Sequence, residues 1–453
     1  MLKYSEFRSR KLLPAAFLSL AVAVIPVEGL LAHDSDWQPV TYSEASLHAP
    51  TPVPDRVILT WSDDPATTQS VTWRTDTSVE HGLAQLALAN DNGRDLKPES
   101  FDAVTTALES DLNEAHYHTV TFRGLQPETL YAYRVGDGAN WSEYFHFQTA
   151  STEAKPFSFI YFGDSQNDLK THWSRVFREA FRDAPRAAFT LHAGDLINRD
   201  DRDAEWGQWH GAPGWVNGTV PVIATPGNHD YYDKDTDDPK VSRHWRRQFE
   251  FPLQDQPAGL EETCYYIDYQ GARIISLDSI KLQEEQVSWL REVLADNPQR
   301  WTILTFHHPI FSPATDRDNK WLRDLWKPVF DEYKVDLVLN GHDHTYARTG
   351  RLDTPVSGEN IPEGYQQAYD PEIGTVYVTS VSGPKMYDIT KGEWARRAGE
   401  DTQLYQVISI DGAKLTFKAF TATGELYDTF TLEKVPGGPN VLREALPPEN
   451  RRD

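Results

Sequence analysis

A single cysteine, Cys264, stands among 453 residues, which excludes an intrachain disulfide and any metal site built from several thiolates. Basic side chains are also in short supply: 44 Lys and Arg face 68 Asp and Glu, for a net charge of −24. A surface that acidic has no general attraction for nucleic acid or anionic membrane, so an anionic ligand must be drawn by something locally positive, such as metal ions. Beyond residue 32 no segment is apolar for long enough to span a bilayer. No internal repeat is present. Core material is ample, since 39% hydrophobic and 12% aromatic residues exclude wholesale disorder and allow two or three domains.

The one long apolar stretch comes first. Lys3, Arg8, Arg10 and Lys11 precede Leu12 to Val27, and Leu30-Leu31-Ala32 offers a small-residue cleavage site, so residues 1–32 read as a secretory signal peptide. The alternative is an uncleaved membrane anchor, against which Pro14 and Pro26 count by shortening the apolar helix below about 20 residues. The expectation is export to a periplasm or the cell exterior, with no membrane span after leader removal. Losing four basic and two acidic side chains with the leader takes the net charge from −24 to −26.

Residues 33–54 are polar and proline-containing, a linker expected to cross open surface. From 55 to 150 short strands rich in β-branched and aromatic residues are separated by turn residues, which reads as a β-sandwich. Gly124-Leu125-Gln126-Pro127 followed by Leu130-Tyr131-Ala132-Tyr133 resembles the corner and following strand of fibronectin type III-like domains. No metal-ligand cluster occurs there, and an accessory or packing role is the plain reading. From about 155 to 434 strands alternate with helices, then return to β structure, and 435–453 reads as a loose tail. The organising unit is Phe157 to Ala193: strand, acidic loop, helix, strand, acidic loop, the outline of a βαβ crossover that lets Asp164 and Asp195 converge. Two carboxylates that close need a cation between them.

Five clusters follow predicted strands: Gly163-Asp164, Gly194-Asp195, Gly227-Asn228-His229-Asp230, His307-His308-Pro309 and Gly341-His342-Asp343-His344. One Gly-Asp pair alone is an ordinary turn. Five loops in one domain, all carrying residue types that bind hard or borderline divalent cations, point to a metal centre. In an extended segment His342 and His344 would point the same way, while His307 and His308 would diverge, so that only one of the latter binds metal.

The ordered set resembles the calcineurin-like metallophosphoesterase superfamily, and with the sandwich in front the chain is similar to purple acid phosphatases over roughly residues 55–432. The resemblance implies an α/β chain, a fibronectin type III-like β-sandwich followed by a βαβ-sandwich metallophosphoesterase domain. It implies two divalent metal ions (Fe, Mn or Zn), with Asp164 and His344 on the first, Asn228, His307 and His342 on the second, and Asp195 bridging. His307 is preferred to His308 because the family's ligand stands two residues before the proline. His229 would face the substrate, as charge stabiliser or proton donor, with Asp230 orienting it; the alternative is a capping or loop histidine. The sequence departs from the purple pattern at Gln166, a weak ligand in place of a glycine, at Asn198, where a ligand tyrosine would stand, and at Asp316 and Arg317 in place of a further histidine. Arg317 is either a phosphate contact or a surface arginine. The function expected is metal-dependent hydrolysis of small phosphate esters, acting on monoesters. The alternatives are a phosphodiesterase on the same metals and a non-catalytic, metal-stabilised envelope binding protein.

Overall fold

The computed structural model describes residues 40–236, 238–352, 368–390, 393–445 and 447, so the expected signal peptide lies outside the described residues. Strands that alternate aromatic and polar side chains before residue 150 close into two four-stranded antiparallel sheets. One has the spatial order Asp55–Thr60, Thr68–Thr75, Glu114–Arg123, Val104–Glu109; the other Glu99–Asp102, Leu83–Leu88, Leu130–Gly136, Phe145–Gln148. Leu59, Trp73, Phe122, Tyr133 and Phe147 fill the space between them. The Tyr131 hydroxyl accepts a hydrogen bond from the Gln126 amide at 2.8 Å, pinning the corner that leads into its strand.

The following domain has two seven-stranded sheets. In the first, Phe157–Phe162, Thr190–Ala193 and Val222–Thr225 run parallel, and Leu404–Asp411 joins antiparallel to extend the sheet toward the C-terminus. In the second, Ala272–Ser276, Trp301–Thr305, Leu337–Asn340 and Val376–Thr379 are parallel neighbours. The crossover helix begins with a π-helical turn, Leu169–Trp173, and continues as Ser174–Asp183, burying Trp173, Val176, Phe177 and Ala180 against the first sheet. Helices Gln286–Ala295 and Lys320–Glu332 bury Leu290, Leu322, Trp326 and Phe330 beside the second. Among the described residues no helix is long and apolar enough to cross a membrane.

One expectation needs correction. The segment read as a loose tail contributes strand Val441–Glu444, whose residues pair with Phe430 to Glu433 and bury Leu442. The described part of the linker runs over the surface as expected, with a short helix, Glu44–Leu47, that buries no residue and whose Glu44 carboxylate pairs with Arg202.

The sandwich shares a core with the domain behind it. Ile58 and Trp61 join the cluster of the first sheet, with Trp61 against Phe189 and Tyr269. Beside this contact Arg56 grips Asp203 with two hydrogen bonds of 2.6 and 2.9 Å, and Arg74 reaches the same carboxylate at 3.3 Å. Burial opposes a charge on Asp203, yet His244 and the Arg56 guanidinium hold its pKa well below the ordinary carboxylate value.

Candidate metal centre

The five loops singled out above leave the carboxyl ends of parallel strands in both sheets, and they meet where the sheets face each other. Asp164 follows Phe157–Phe162, Asp195 follows Thr190–Ala193, Asn228 follows Val222–Thr225, His307 follows Trp301–Thr305, and His342 and His344 follow Leu337–Asn340. Asp195, His307 and His342 bring ligand atoms within 4.8 Å of one another, as do Asp164, Asp195 and His344. Asp195 belongs to both groups.

Hydrogen bonds fix which ring nitrogens turn inward. His307 Nδ1 donates to the Ala193 carbonyl at 3.0 Å, which leaves Nε2 3.2 Å from Asp195 Oδ2, 3.2 Å from Asn228 Oδ1 and 3.1 Å from His342 Nδ1. His344 Nδ1 donates to the Lys385 carbonyl at 2.9 Å, and Nε2 faces Asp164 Oδ2 at 3.1 Å. Asp164 Oδ2 is buried and accepts no hydrogen bond, and neither does Gln166 Oε1. Lone pairs gathered this closely repel one another unless a cation stands among them, and imidazole, carboxylate and amide donors suit a divalent ion. Burial would lower the pKa of His307, but the Asp195 and Asp164 carboxylates overcome it and raise the ring to about 9. Even without metal, the centre draws in positive charge.

The backbone is shaped for this convergence. A Cβ at Gly227 would lie 2.2 Å from Asp195 Oδ1, and one at Gly341 2.1 Å from Asp164 Oδ1, so both loops close only with glycine. His342 and His344 do not share an extended segment: their φ values are +72° and +45°. Their rings meet the centre through a left-handed bend held by Asp343, whose buried carboxylate accepts from Ser312 and whose amide donates to the Gly341 carbonyl. The expected divergence of His307 and His308 needs correction: their rings meet edge to face with centroids 5.2 Å apart, and the His308 ring lies 4.1 Å from that of His342 while its Nδ1 pairs with the Ser279 hydroxyl at 2.9 Å.

Residues 54–149 match the family model "Purple acid Phosphatase, N-terminal domain", and residues 157–346 match "Calcineurin-like phosphoesterase". The chain is a purple acid phosphatase-like member of the calcineurin-like metallophosphoesterase superfamily. Acid phosphatase type 7 of Danio rerio is 25% identical over 427 residues, covering 82% of this chain and 90% of that one. Purple acid phosphatase 1 of Ipomoea batatas is 25% identical over 344 residues, 68% of this chain and 70% of its own. "Probable inactive purple acid phosphatase 27" of Arabidopsis thaliana is 21% identical over 354 residues, and the match spans 70% of this chain but only 57% of that relative's length. The structure of a purple acid phosphatase from yellow lupin seeds superposes with a TM-score of 0.70 at 18% identity, covering 84% of this chain and 74% of that one.

Among the positions where this chain leaves the purple pattern, Gln166 sits inside the centre. Its Nε2 is 2.7 Å from Asp195 Oδ2 and 3.2 Å from His344 Nε2. Asn198 contributes its backbone: the carbonyl accepts from His229 Nδ1 at 2.6 Å. Arg317 donates to the His342 carbonyl at 3.0 Å and stacks on Tyr387 at 4.6 Å, so it braces the ligand loop rather than standing free.

His229 is half-buried at the edge of a groove of about 760 Å³ that Asn198, Tyr232, Lys234 and Arg243 also line. Burial lowers its pKa, the Asp195 carboxylate and the Asn198 carbonyl raise it, and Lys234 and Lys385 lower it, with a net decrease. The expectation that Asp230 orients the His229 ring needs correction. The Asp230 carboxylate accepts from the Gly227 amide at 2.8 Å and the Leu196 amide at 3.2 Å, tying the Asn228 loop to the Asp195 loop, while the ring is oriented by Asn198. Lys385, Tyr387 and Glu205 carry no motif that would have singled them out in the sequence. They reach the site through a backbone carbonyl, a ring face and a carboxylate on a separate helix.

Proposed function

We propose that the chain hydrolyses phosphate monoesters on a pair of divalent metal ions, with Asp164 and His344 at one, Asn228, His307 and His342 at the other, and Asp195 between them. The observation that carries this is the inward convergence of His307 Nε2, His342 Nδ1, Asn228 Oδ1 and Asp195 Oδ2 within 3.1–3.2 Å of the His307 nitrogen. Bound there, the ions supply Lewis acidity toward phosphoryl oxygens and a water acidic enough to attack phosphorus near neutral pH. His229, with Nδ1 committed to Asn198, keeps Nε2 for the ester, to meet charge on a phosphoryl oxygen or to protonate the leaving oxygen. The groove beside His229 carries both signs of charge, Arg199, Lys234 and Arg243 among Asp200, Asp201, Asp233 and Asp235, and the monoester reading rests on the similarity to acid phosphatases. The basic, apolar and small-residue order of residues 1–32 supports an exported protein, which cell fractionation tests.

The test is to strip the protein with a chelator, reload it with Mn²⁺, Zn²⁺ or Fe²⁺, and follow metal content together with turnover of an aryl monoester and an aryl diester. Turnover should return with about two ions per chain and favour the monoester. Diester preference would move the reading to a phosphodiesterase. Full loading without turnover would support the non-catalytic alternative, which the "probable inactive" names of three Arabidopsis relatives bring forward.

The metal pair is expected to be colourless. At Asn198 there is no phenol; Tyr231 and Tyr346, which follow ligand loops in the chain, hydrogen-bond to Asp278 and, at 2.7 Å, to Asp428, and Tyr387 meets His344 with its ring at 4.7 Å. Without a tyrosinate there is no anionic, oxidisable donor to favour ferric iron. Iron-loaded, active protein should therefore lack a strong visible charge-transfer band, and such a band would overturn the divalent assignment.

A further inference from the structure

The N-terminal sandwich makes contacts that lead, bond by bond, to His229. Its Arg56 and Arg74 hold the buried Asp203 carboxylate, and its Asp111 Oδ1 accepts from the Asp203 amide at 2.8 Å. Asp203 opens helix Asp203–Gly211. Two residues on, in the first turn, Glu205 Oε2 accepts from the Asn198 amide at 2.7 Å and from the Arg199 amide at 3.0 Å. The Asn198 carbonyl then accepts from His229 Nδ1 at 2.6 Å. The other wall of the groove is tied to the same sandwich edge, since Arg243 and Arg247 donate to the Glu109 and Ala107 carbonyls at 3.1 and 3.3 Å. Ser242 closes the two walls on each other by donating to the Asp200 carbonyl at 2.7 Å.

Building on the phosphoesterase reading above, we infer that Glu205 is a positioning residue, through which the sandwich sets the orientation of the His229 ring against the leaving group. The Asn198 carbonyl fixes Nδ1 as the donor to the backbone and so directs Nε2 at the ester. That carbonyl is placed by its own peptide segment, and the segment is held by one carboxylate oxygen on a helix clamped from the neighbouring domain. In the reaction, water oxygen forms the new bond to phosphorus, the bond from phosphorus to the ester oxygen breaks, and the His229 ring acts as the imidazolium: its Nε2 proton passes to the departing oxygen, and the neutral ring keeps the proton on Nδ1 that the Asn198 carbonyl accepts. A misdirected ring costs most where the departing oxygen is basic and needs the proton early.

Glu205→Ala is compared with Glu205→Gln and wild type, all metal-loaded. Turnover of a simple alkyl monoester and of p-nitrophenyl phosphate is measured with metal content and affinity for inorganic phosphate. Glutamine keeps the single oxygen that both amides use, so it should restore near-wild-type behaviour. Alanine should lower kcat on the alkyl ester by roughly tenfold or more, with a markedly smaller loss on the aryl ester and no loss of metal. Asp111→Ala, on an exposed hairpin of the sandwich, should reproduce the same leaving-group bias more weakly. Equal losses on both esters in Glu205→Ala, or no rescue by glutamine, would show a structural role only and overturn the inference. Wild type that turns over while the variants show no bias refutes the positioning role and leaves the phosphoesterase reading standing. Wild type that neither turns over nor binds phosphate removes both.

Discussion

Asp195→Asn is expected to empty both halves of the metal centre while leaving the fold in place. Asp195 is the carboxylate common to both ligand groups. Its Oδ1 accepts from the His229 amide at 2.7 Å, and its Oδ2 faces Gln166 Nε2 at 2.7 Å and His307 Nε2 at 3.2 Å. Asparagine removes the charge and turns one of these oxygens into a donor, which then meets another donor at either position. The backbone should accept the change, because Asp195 has a φ of +48° and asparagine is at ease in that left-handed region. Asparagine also adds no atom toward Gly227, where there is no room to spare. Loss of an outer hydrogen-bond partner typically weakens metal binding by about 10–100-fold; loss of a shared ligand should exceed that at both positions. Mass-spectrometric metal content after gel filtration should fall well below one ion per chain, with turnover close to background and a melting temperature near that of the metal-free wild type. Two retained ions with wild-type turnover would exclude Asp195 as the bridge.

The site is legible in the sequence because each of its donors follows a strand that an apolar run betrays, and each loop opens with a glycine or precedes a proline. The strand that opens the crossover, Phe157–Phe162, shows this: four of its six residues are aromatic, and it pairs in parallel with Thr190–Ala193 as the crossover requires. Strands Leu83–Leu88, Glu99–Asp102 and Val104–Glu109 are faint in the sequence because alanines and acidic residues carry little β signal, and the latter two have almost no buried face. Helix Asp203–Gly211 was hidden for a different reason. Gly207 and Gly211 lower its intrinsic helicity, and it is tertiary packing of Trp206 and Trp209, with Asp203 clamped at its start, that settles its conformation. The partners of the site that act through backbone carbonyls, Ala193, Asn198 and Lys385, leave no trace in side-chain identity at all. The pointing of His342 and His344 is the instructive case: spacing of two suggested an extended segment, but positive φ at both residues does the work, and nothing short of the folded loop reveals it.

His229→Ala should keep both metal ions and lose most of the chemistry. His229 is not among the metal ligands: its ring Nδ1 bonds to the Asn198 carbonyl, and its amide supports Asp195 at 2.7 Å, an amide that alanine retains. What disappears is the ring whose Nδ1 is held by Asn198 and whose Nε2 is free for the ester beside the groove. A positioned proton donor or charge stabiliser contributes roughly 10² to 10⁴ in rate, which corresponds to about 2.7–5.4 kcal/mol of transition-state stabilisation. The loss should fall on kcat for an alkyl monoester and shrink for p-nitrophenyl phosphate, whose leaving phenolate needs less help from a proton. Because Asn198 and the Glu205 helix remain, the metal-free melting temperature should change little. The decisive comparison is with Glu205→Ala: if Glu205 acts only through His229, the double variant should be no slower than His229→Ala alone. A double variant slower by the product of the two single losses would separate Glu205 from the ring, and an unchanged kcat in His229→Ala would return the histidine to an ordinary loop residue.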